Sequence, residues 1–396
     1  MWLYHTAMSA DGWAAPLPGV DERRGFLLGT DPLEAFDVAR YDRTVGDYLE
    51  RLDELGETLP ERLRSGDLGP AVRSLDPPPS GALGSLTRRE TVRLRQVTAF
   101  LASAYVHAAG REPVDRLPAG VAVPLFRSSA RLGVEAVLAY DVLCLHNFRR
   151  RDANGGFAVE NLGTVQRFSR HDDERWFVAV HVAIEAAAAP ALTACARAQR
   201  AIAREEADDR ETLRTDLETV ASSLAAQTDV MRRMTEGNDP AVFASEFRPY
   251  FDGFDGVVYE GVDPLGGEPQ SFRGASGAQS AVLPAIDATL GVDHDETALL
   301  AALGDMRSYV PPAHRRAIRA FETGPDVRRY VASRREEPLV AAFNRCVDRL
   351  GEFRRVHFQQ VVQYVREASD ETAGTGGTDF VPFLERMREE TEARKL

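Results

Sequence analysis

Cysteine is scarce: Cys144, Cys195 and Cys346 are the only three in 396 residues, far apart, odd in number and in no CxxC spacing. That argues against a disulfide framework or a cysteine zinc site and suits a reducing compartment. Positive charge is also short. The 48 Lys plus Arg against 61 Asp plus Glu leave a formal net charge of −13, which opposes nucleic acid and anionic membrane surfaces as partners. The amino terminus has no basic stretch followed by an apolar run, so no export signal is expected and the cytoplasm is the compartment read from the sequence. Strand-like alternation is rare and no internal repeat is present. Neither glycine-rich segment, 247–280 or 374–379, matches GxGxxG after a strand or GxxxxGK[ST], so phosphate cradling is unsupported. The run 176–198 approaches membrane-span length, but it carries His181, Glu185, Pro190 and Arg197 and reads as a buried core helix.

What is present is mostly helix. A chain of this length favours one large domain plus a smaller one. Helical spacing covers 32–69, then a Pro/Gly/Ser-rich break at 76–86, a second helix at 87–109, another break around the REPVDRLPAGVAVP run, and an apolar segment at 133–148. Residues 149–174 are polar and weakly periodic and read as an interdomain connection. Beyond them helices are predicted over 176–206, 209–236, 296–309 and 338–368. The expectation is an all-α fold in which a smaller, mainly helical N-terminal domain with its linker (1–168) caps a large helical domain (169–396).

Three places could carry chemistry. In the last long helix Leu339, Phe343, Cys346, Leu350 and Phe353 recur at alternating steps of four and three, and the next position on that stripe is His357. A neutral imidazole fixed in a helix core can ligate a metal, although a hydrogen-bonded core histidine is the commoner use of such a position. His181 and Glu185 lie one turn apart in an apolar helix, where they fit a metal or base pair less readily than a locally satisfied His–Glu pair, since no HExxH accompanies them. Arg248, in FASEFRPYF, has Phe243, Phe247, Tyr250 and Phe251 as neighbours, which suits a carboxylate clamp beside an apolar substrate body; a surface arginine stacked on tyrosine is the alternative.

Read together, five runs resemble the indoleamine 2,3-dioxygenase family, in that family's order: DGVVYEGV (255–262), FRGASGAQSAVLPAIDATLGV (272–292), DMRSYVPPAHRRAI (305–318), FRRVHFQQVVQYV (353–365) and GTGGTDFVPFL (374–384). AGVAVP and YDVLCLHNF (140–148) match more loosely. The resemblance implies haem b between a small helical domain and a large one, with His357 as the iron ligand and Arg354 and Asp287 supporting the haem site, as would Ser276 and Ala278. It implies that Arg248 receives the substrate carboxylate and that Phe177, Phe243, Tyr140 and Leu143 line the pocket. Ser276, Gly277 and Ala278 would form a small-residue loop for close approach, and Thr375 would lie in a loop that closes over substrate. His181 departs from the vertebrate members, which have serine or threonine there; a distal histidine is characteristic of the related tryptophan 2,3-dioxygenases.

The activity implied is insertion of both atoms of O2 across the indole C2–C3 bond of L-tryptophan or a close relative, giving N-formylkynurenine or its analogue, as in tryptophan catabolism by the kynurenine pathway. Two alternatives stay open: a haem enzyme of secondary metabolism that hydroxylates or rearranges a tryptophan derivative, and a haem-binding sensor or carrier without turnover. The expected partners are the indole and O2, with no nucleic acid, no membrane and a monomeric chain, an oligomer not being excluded.

Overall fold

The computed structural model describes residues 17, 19–78, 81–108, 114–204, 210–293, 304–366 and 380–396. It is 67% helical with a few short strands, the all-α architecture expected. The 32–69 stretch is broken into α1 (Arg43–Glu57), α2 (Leu59–Ser65) and α3 (Leu68–Arg73). The reason is local: Thr58 caps one end, Pro60 opens the next turn, and Gly66 takes a left-handed φ of 80° that ends it. Helix α4 (Arg88–Val106) starts on a capping box between Thr87 and Glu90. The AGVAVP run, read as part of a break, instead opens α5 (Ala119–Leu132), with Pro124 tolerated inside it. Pro124 cannot donate to the Gly120 carbonyl four residues back, and that carbonyl accepts Tyr48 Oη at 2.8 Å instead.

The polar connection at 149–174 carries a minimal antiparallel pair, β2 (Arg149–Arg150) on β3 (Leu162–Gly163). Residues 176–206, expected as one helix, form two: α6 (Asp172–Ala187) and α7 (Ala189–Arg204), parted at Ala188 before Pro190. The Asp172–Arg204 stretch has the length and apolarity of a membrane span, yet its most apolar window is 67% buried within the protein. Helix α8 is Arg210–Arg232. A three-stranded sheet follows in the glycine-rich region, with β4 (Phe254–Tyr259) parallel to β1 (Arg116–Leu117) and antiparallel to β5 (Gln270–Phe272). Then come α9 (Val282–Leu290), α10 (Pro312–Thr323), α11 (Val327–Arg334), α12 (Glu337–Val361) and α13 (Phe380–Glu392). Most of the helix expected at 296–309 and the glycine-rich loop 374–379, with Thr375, lie outside the described residues.

Two hydrophobic cores form. The first joins α1, α4, α5 and the buried face of α6 (Val178, Ala179, Val180, Val182, Ala183) to Phe243–Phe254 and β4. The second joins α7 and α8 to α9–α12, with α12 laid along α8. A small third cluster, Met231, Phe353 and Val356, lies between them, and Ile184 of α6 and Leu283 of α9 pack on it. The seam between the cores is where the candidate residues gather.

Candidate functional site

Helix α12 buries the stripe Leu339, Phe343, Cys346, Leu350 and Phe353, and His357 follows on it, half-buried, beside Val356 of the third cluster. Burial holds its imidazole down to about pKa 4, helped by the nearby His181 and Arg354, so it is neutral at physiological pH. Among the described residues none hydrogen-bonds this ring. A neutral imidazole with its lone pair uncommitted is what an iron ligand requires. One turn earlier Arg354 makes a buried ion pair with Asp287 of α9 at 2.6 Å, and also donates to Thr391 and to the Met387 carbonyl. That fixes the helix face next to His357.

Across the seam, Phe177, His181 and Ile184 of α6 form a half-buried stripe among neighbours that are fully buried. His181 does not pair with Glu185, the local pair considered from the spacing. Its Nδ1 lies 2.8 Å from the Phe177 carbonyl oxygen, which can only accept, so Nδ1 carries the proton and Nε2 is left as an acceptor. Burial lowers its pKa and the backbone bond opposes that shift; Glu185 takes no part. Glu185 instead receives Tyr140 Oη at 3.0 Å and Ser280 Oγ at 2.6 Å.

Aromatic rings close one side. Phe177 lies 4.3 Å from the His181 ring and 5.3, 6.0 and 5.5 Å from Phe243, Phe247 and Phe251. Tyr140 stands edge-on to His181 at 5.9 Å, with Leu143 buried one turn away. Arg248 is 4% exposed, between the π turn Phe243–Phe247 and the 3-10 turn Arg248–Phe251, and so belongs to the segment that builds this wall rather than to the surface. Ser276 caps the short turn Gly277–Gln279, and a side chain added at Gly277 would meet nothing within 4 Å. Three π turns, Asp141–Leu145, Phe243–Phe247 and Val362–Arg366, edge the site among the described residues, and such turns often mark functional sites.

The structure thus brings together His181, Phe177, Phe243 and Tyr140 directly, and packs Ile184 of the same helix on the cluster of Phe353 and Val356 that adjoins His357. Sequence reading missed Gln279, whose Oε1 accepts from Tyr140 N–H at 2.8 Å, and Tyr364, which donates to the Asn238 carbonyl at 2.5 Å and stands edge-on to Phe243. Gln279 carried a signal, a lone amide side chain just before the apolar stretch AVLPAI. Tyr364 carried none.

A helical protein that sets a neutral, uncommitted imidazole beside a buried arginine–aspartate pair, with an aromatic wall on the neighbouring helix, offers a donor set that fits a haem protein. The chain belongs to the indoleamine 2,3-dioxygenase family, whose model matches residues 17–394. It is 31% identical to indoleamine 2,3-dioxygenase 1 of Rattus norvegicus over 86% of this chain and 88% of that protein. It is 30% identical to indoleamine 2,3-dioxygenase acdA of Aspergillus candidus (94% and 95% covered) and 28% identical to a protein named myoglobin from Haliotis madaka (93% and 95%). It is accordingly a haem-dependent oxidoreductase.

Proposed function

We propose that the protein inserts both atoms of O2 across the indole C2–C3 bond of L-tryptophan or a close indole, giving an N-formylkynurenine-type product. The observation that carries this reading is that α6, with His181 and the Phe177–Phe243 wall, packs through Ile184 on the cluster of Phe353 and Val356 next to His357. His357 would hold the haem iron, with the Arg354–Asp287 pair fixing the helix that presents it. Haem, when bound, supplies the activation of O2 that no side chain can provide. The chain's own residues do the rest. Phe177 and Phe243 bury the indole, Arg248 receives the carboxylate, and the Nε2 of His181 accepts the indole N–H. In this reading residues 1–168 cap a catalytic unit of residues 169–396, with Tyr140 and Leu143 as the cap's contribution to the pocket. The three free, buried cysteines support a cytoplasmic setting, and tryptophan catabolism is the pathway such a product enters.

A second reading, reversible O2 carriage, is favoured by the relatives named myoglobin. A carrier has no use for a buried arginine in an aromatic wall. Ferrous protein, O2 and a panel of indoles, with products read by mass spectrometry, separates the two. Gain of two oxygen atoms on tryptophan supports dioxygenation, a rearranged or singly oxygenated indole points to a secondary-metabolism activity, and a stable oxygenated spectrum with no product would overturn both enzyme readings.

A further inference from the structure

Glu185 sits on α6 one turn beyond His181, 1% exposed, and the chemistry above does not use it. Its Oε1 accepts hydroxyls from two other elements, Tyr140 at the start of the π turn Asp141–Leu145 and Ser280 just before α9. Its Oε2 is buried with no hydrogen-bond partner among the described residues. Tyr140 is held at both ends, its Oη on Glu185 and its backbone N–H on Gln279, and Gln279 with Ser276 closes the capping box of the Gly277–Gln279 turn. Neither donor to the carboxyl is a cation, so burial dominates and pushes Glu185 up to about 7. An apolar side chain of the same size would fill this place without that desolvation cost. The acid is therefore there for its bonds.

We propose that Glu185 is a positioning residue of the substrate pocket: one carboxylate oxygen clips Tyr140 and Ser280 to α6 and so holds the Tyr140 ring against His181 and the end of the 276–280 loop against the helix. The inference rests on the pocket assignment made above, but its geometry does not depend on turnover. The other titratable groups facing Glu185 are the Tyr140 phenol and the Cys144 thiol, both kept neutral by burial. His181 lies one turn away on the same helix. As pH falls through about 7, Glu185 gains a proton, becomes a weaker acceptor and loosens the clip.

The test is hydrogen exchange by mass spectrometry on haem-loaded and haem-free protein, with a spectral titration of L-tryptophan into the ferric protein. Glu185→Leu should raise exchange in peptides spanning 137–146 and 274–281 while α4 and α12 stay protected. It should also weaken tryptophan binding about tenfold, the scale of one lost charge-assisted hydrogen bond, with the Soret band of the substrate-free protein unchanged. Glu185→Gln, which keeps an acceptor oxygen, should restore most of the protection and abolish the change in affinity across pH 7. Unchanged exchange in the two peptides, or an equal rise throughout the chain, would overturn the clip and leave Glu185 a core residue only. Should Glu185→Leu fail to fold, Tyr140→Phe and Ser280→Ala each remove one arm, and wild-type exchange and affinity in both would overturn it equally. If the exchange pattern holds while no indole is consumed, the pocket's proposed reaction fails and the clip stands.

Discussion

At the scale of single residues, the site depends on which polar groups burial keeps neutral and which atoms are left to face a ligand. His357 is neutral and its ring uncommitted, so His357→Ala should lose the haem or hold it weakly, read as loss of the Soret band after gel filtration. Full retention with an unchanged ferrous spectrum would remove it from that role. Arg248 is 4% exposed, and Arg248→Ala should weaken use of tryptophan by about 2–5 kcal/mol, the range for losing one partner of a desolvated charge pair. Tryptamine, without a carboxylate, should be a poor substrate for the parent and little affected by the change; equal parental use of both would refute the clamp. His181 presents Nε2 as an acceptor because Nδ1 is committed to the Phe177 carbonyl. It follows that 1-methyl-tryptophan should be rejected more strongly than a 5- or 6-substituted tryptophan, and His181→Ser should relax that preference. An unchanged preference in the variant would return His181 to a structural role. His357 and Arg248 were legible as residues in a pattern, but the orientation of His181 was not, because the helical i, i+4 rule offers Glu185 as its partner while the backbone carbonyl competes for the same nitrogen.

At the scale of elements, breaks and close approaches matter more than helix propensity. The start of α5 presses on the loop after α3: a Cβ added at Gly120 would lie 1.8 Å from the Leu75 carbonyl oxygen, and the Gly120 carbonyl also accepts Tyr48 Oη at 2.8 Å. Gly120→Ala should therefore destabilise by about 1–3 kcal/mol, the usual cost of overpacking, despite alanine being the better helix former. Urea midpoints of the two proteins check it, and an equal or higher midpoint for the variant would show that the two backbones can part freely. The sequence misread this region, since PAGVAVP looks like a loop when Pro and Gly are counted. They are instead a helix start, where Pro118 ends extended backbone and Gly120 permits the approach. The split of α6 from α7 has a similar cause: periodicity runs through Ala188 unbroken, and only the turn before Pro190 interrupts it.

For the whole molecule, the buried neutral histidines make stability depend on pH. His146 is held down to about 4 by burial, against which the Asp141 charge acts weakly, and His357 is held at a similar value. Both values lie below the unfolded one of about 6.5, so above that pH neither contributes; as pH falls from about 6.5 toward 4 the unfolded chain takes up protons the folded chain refuses. Stability should drop by up to about 1.4 kcal/mol per pH unit for each such group over that window. Urea melts of the haem-free protein at pH 7 and pH 5 read the net slope, to which the buried Glu174 and Glu185, held up to about 8 and about 7, contribute with the opposite sign; His146→Gln should remove about one proton of the histidine contribution from that slope, and a slope identical to the parent's would contradict the burial of this ring as a neutral group. By itself the sequence determined the helical class, the absence of a disulfide framework, the stripe leading to His357 and the family, because periodicity, composition and motif order are properties of the chain read in line. Only the tertiary structure decided that Glu185 bonds Tyr140 and Ser280, that Arg354 pairs with Asp287 and that the helix of His181 packs beside that of His357. Those contacts join residues 45, 95 and 67 positions apart in the first three cases, and local spacing carries no information about which distant side chain a buried polar atom will find.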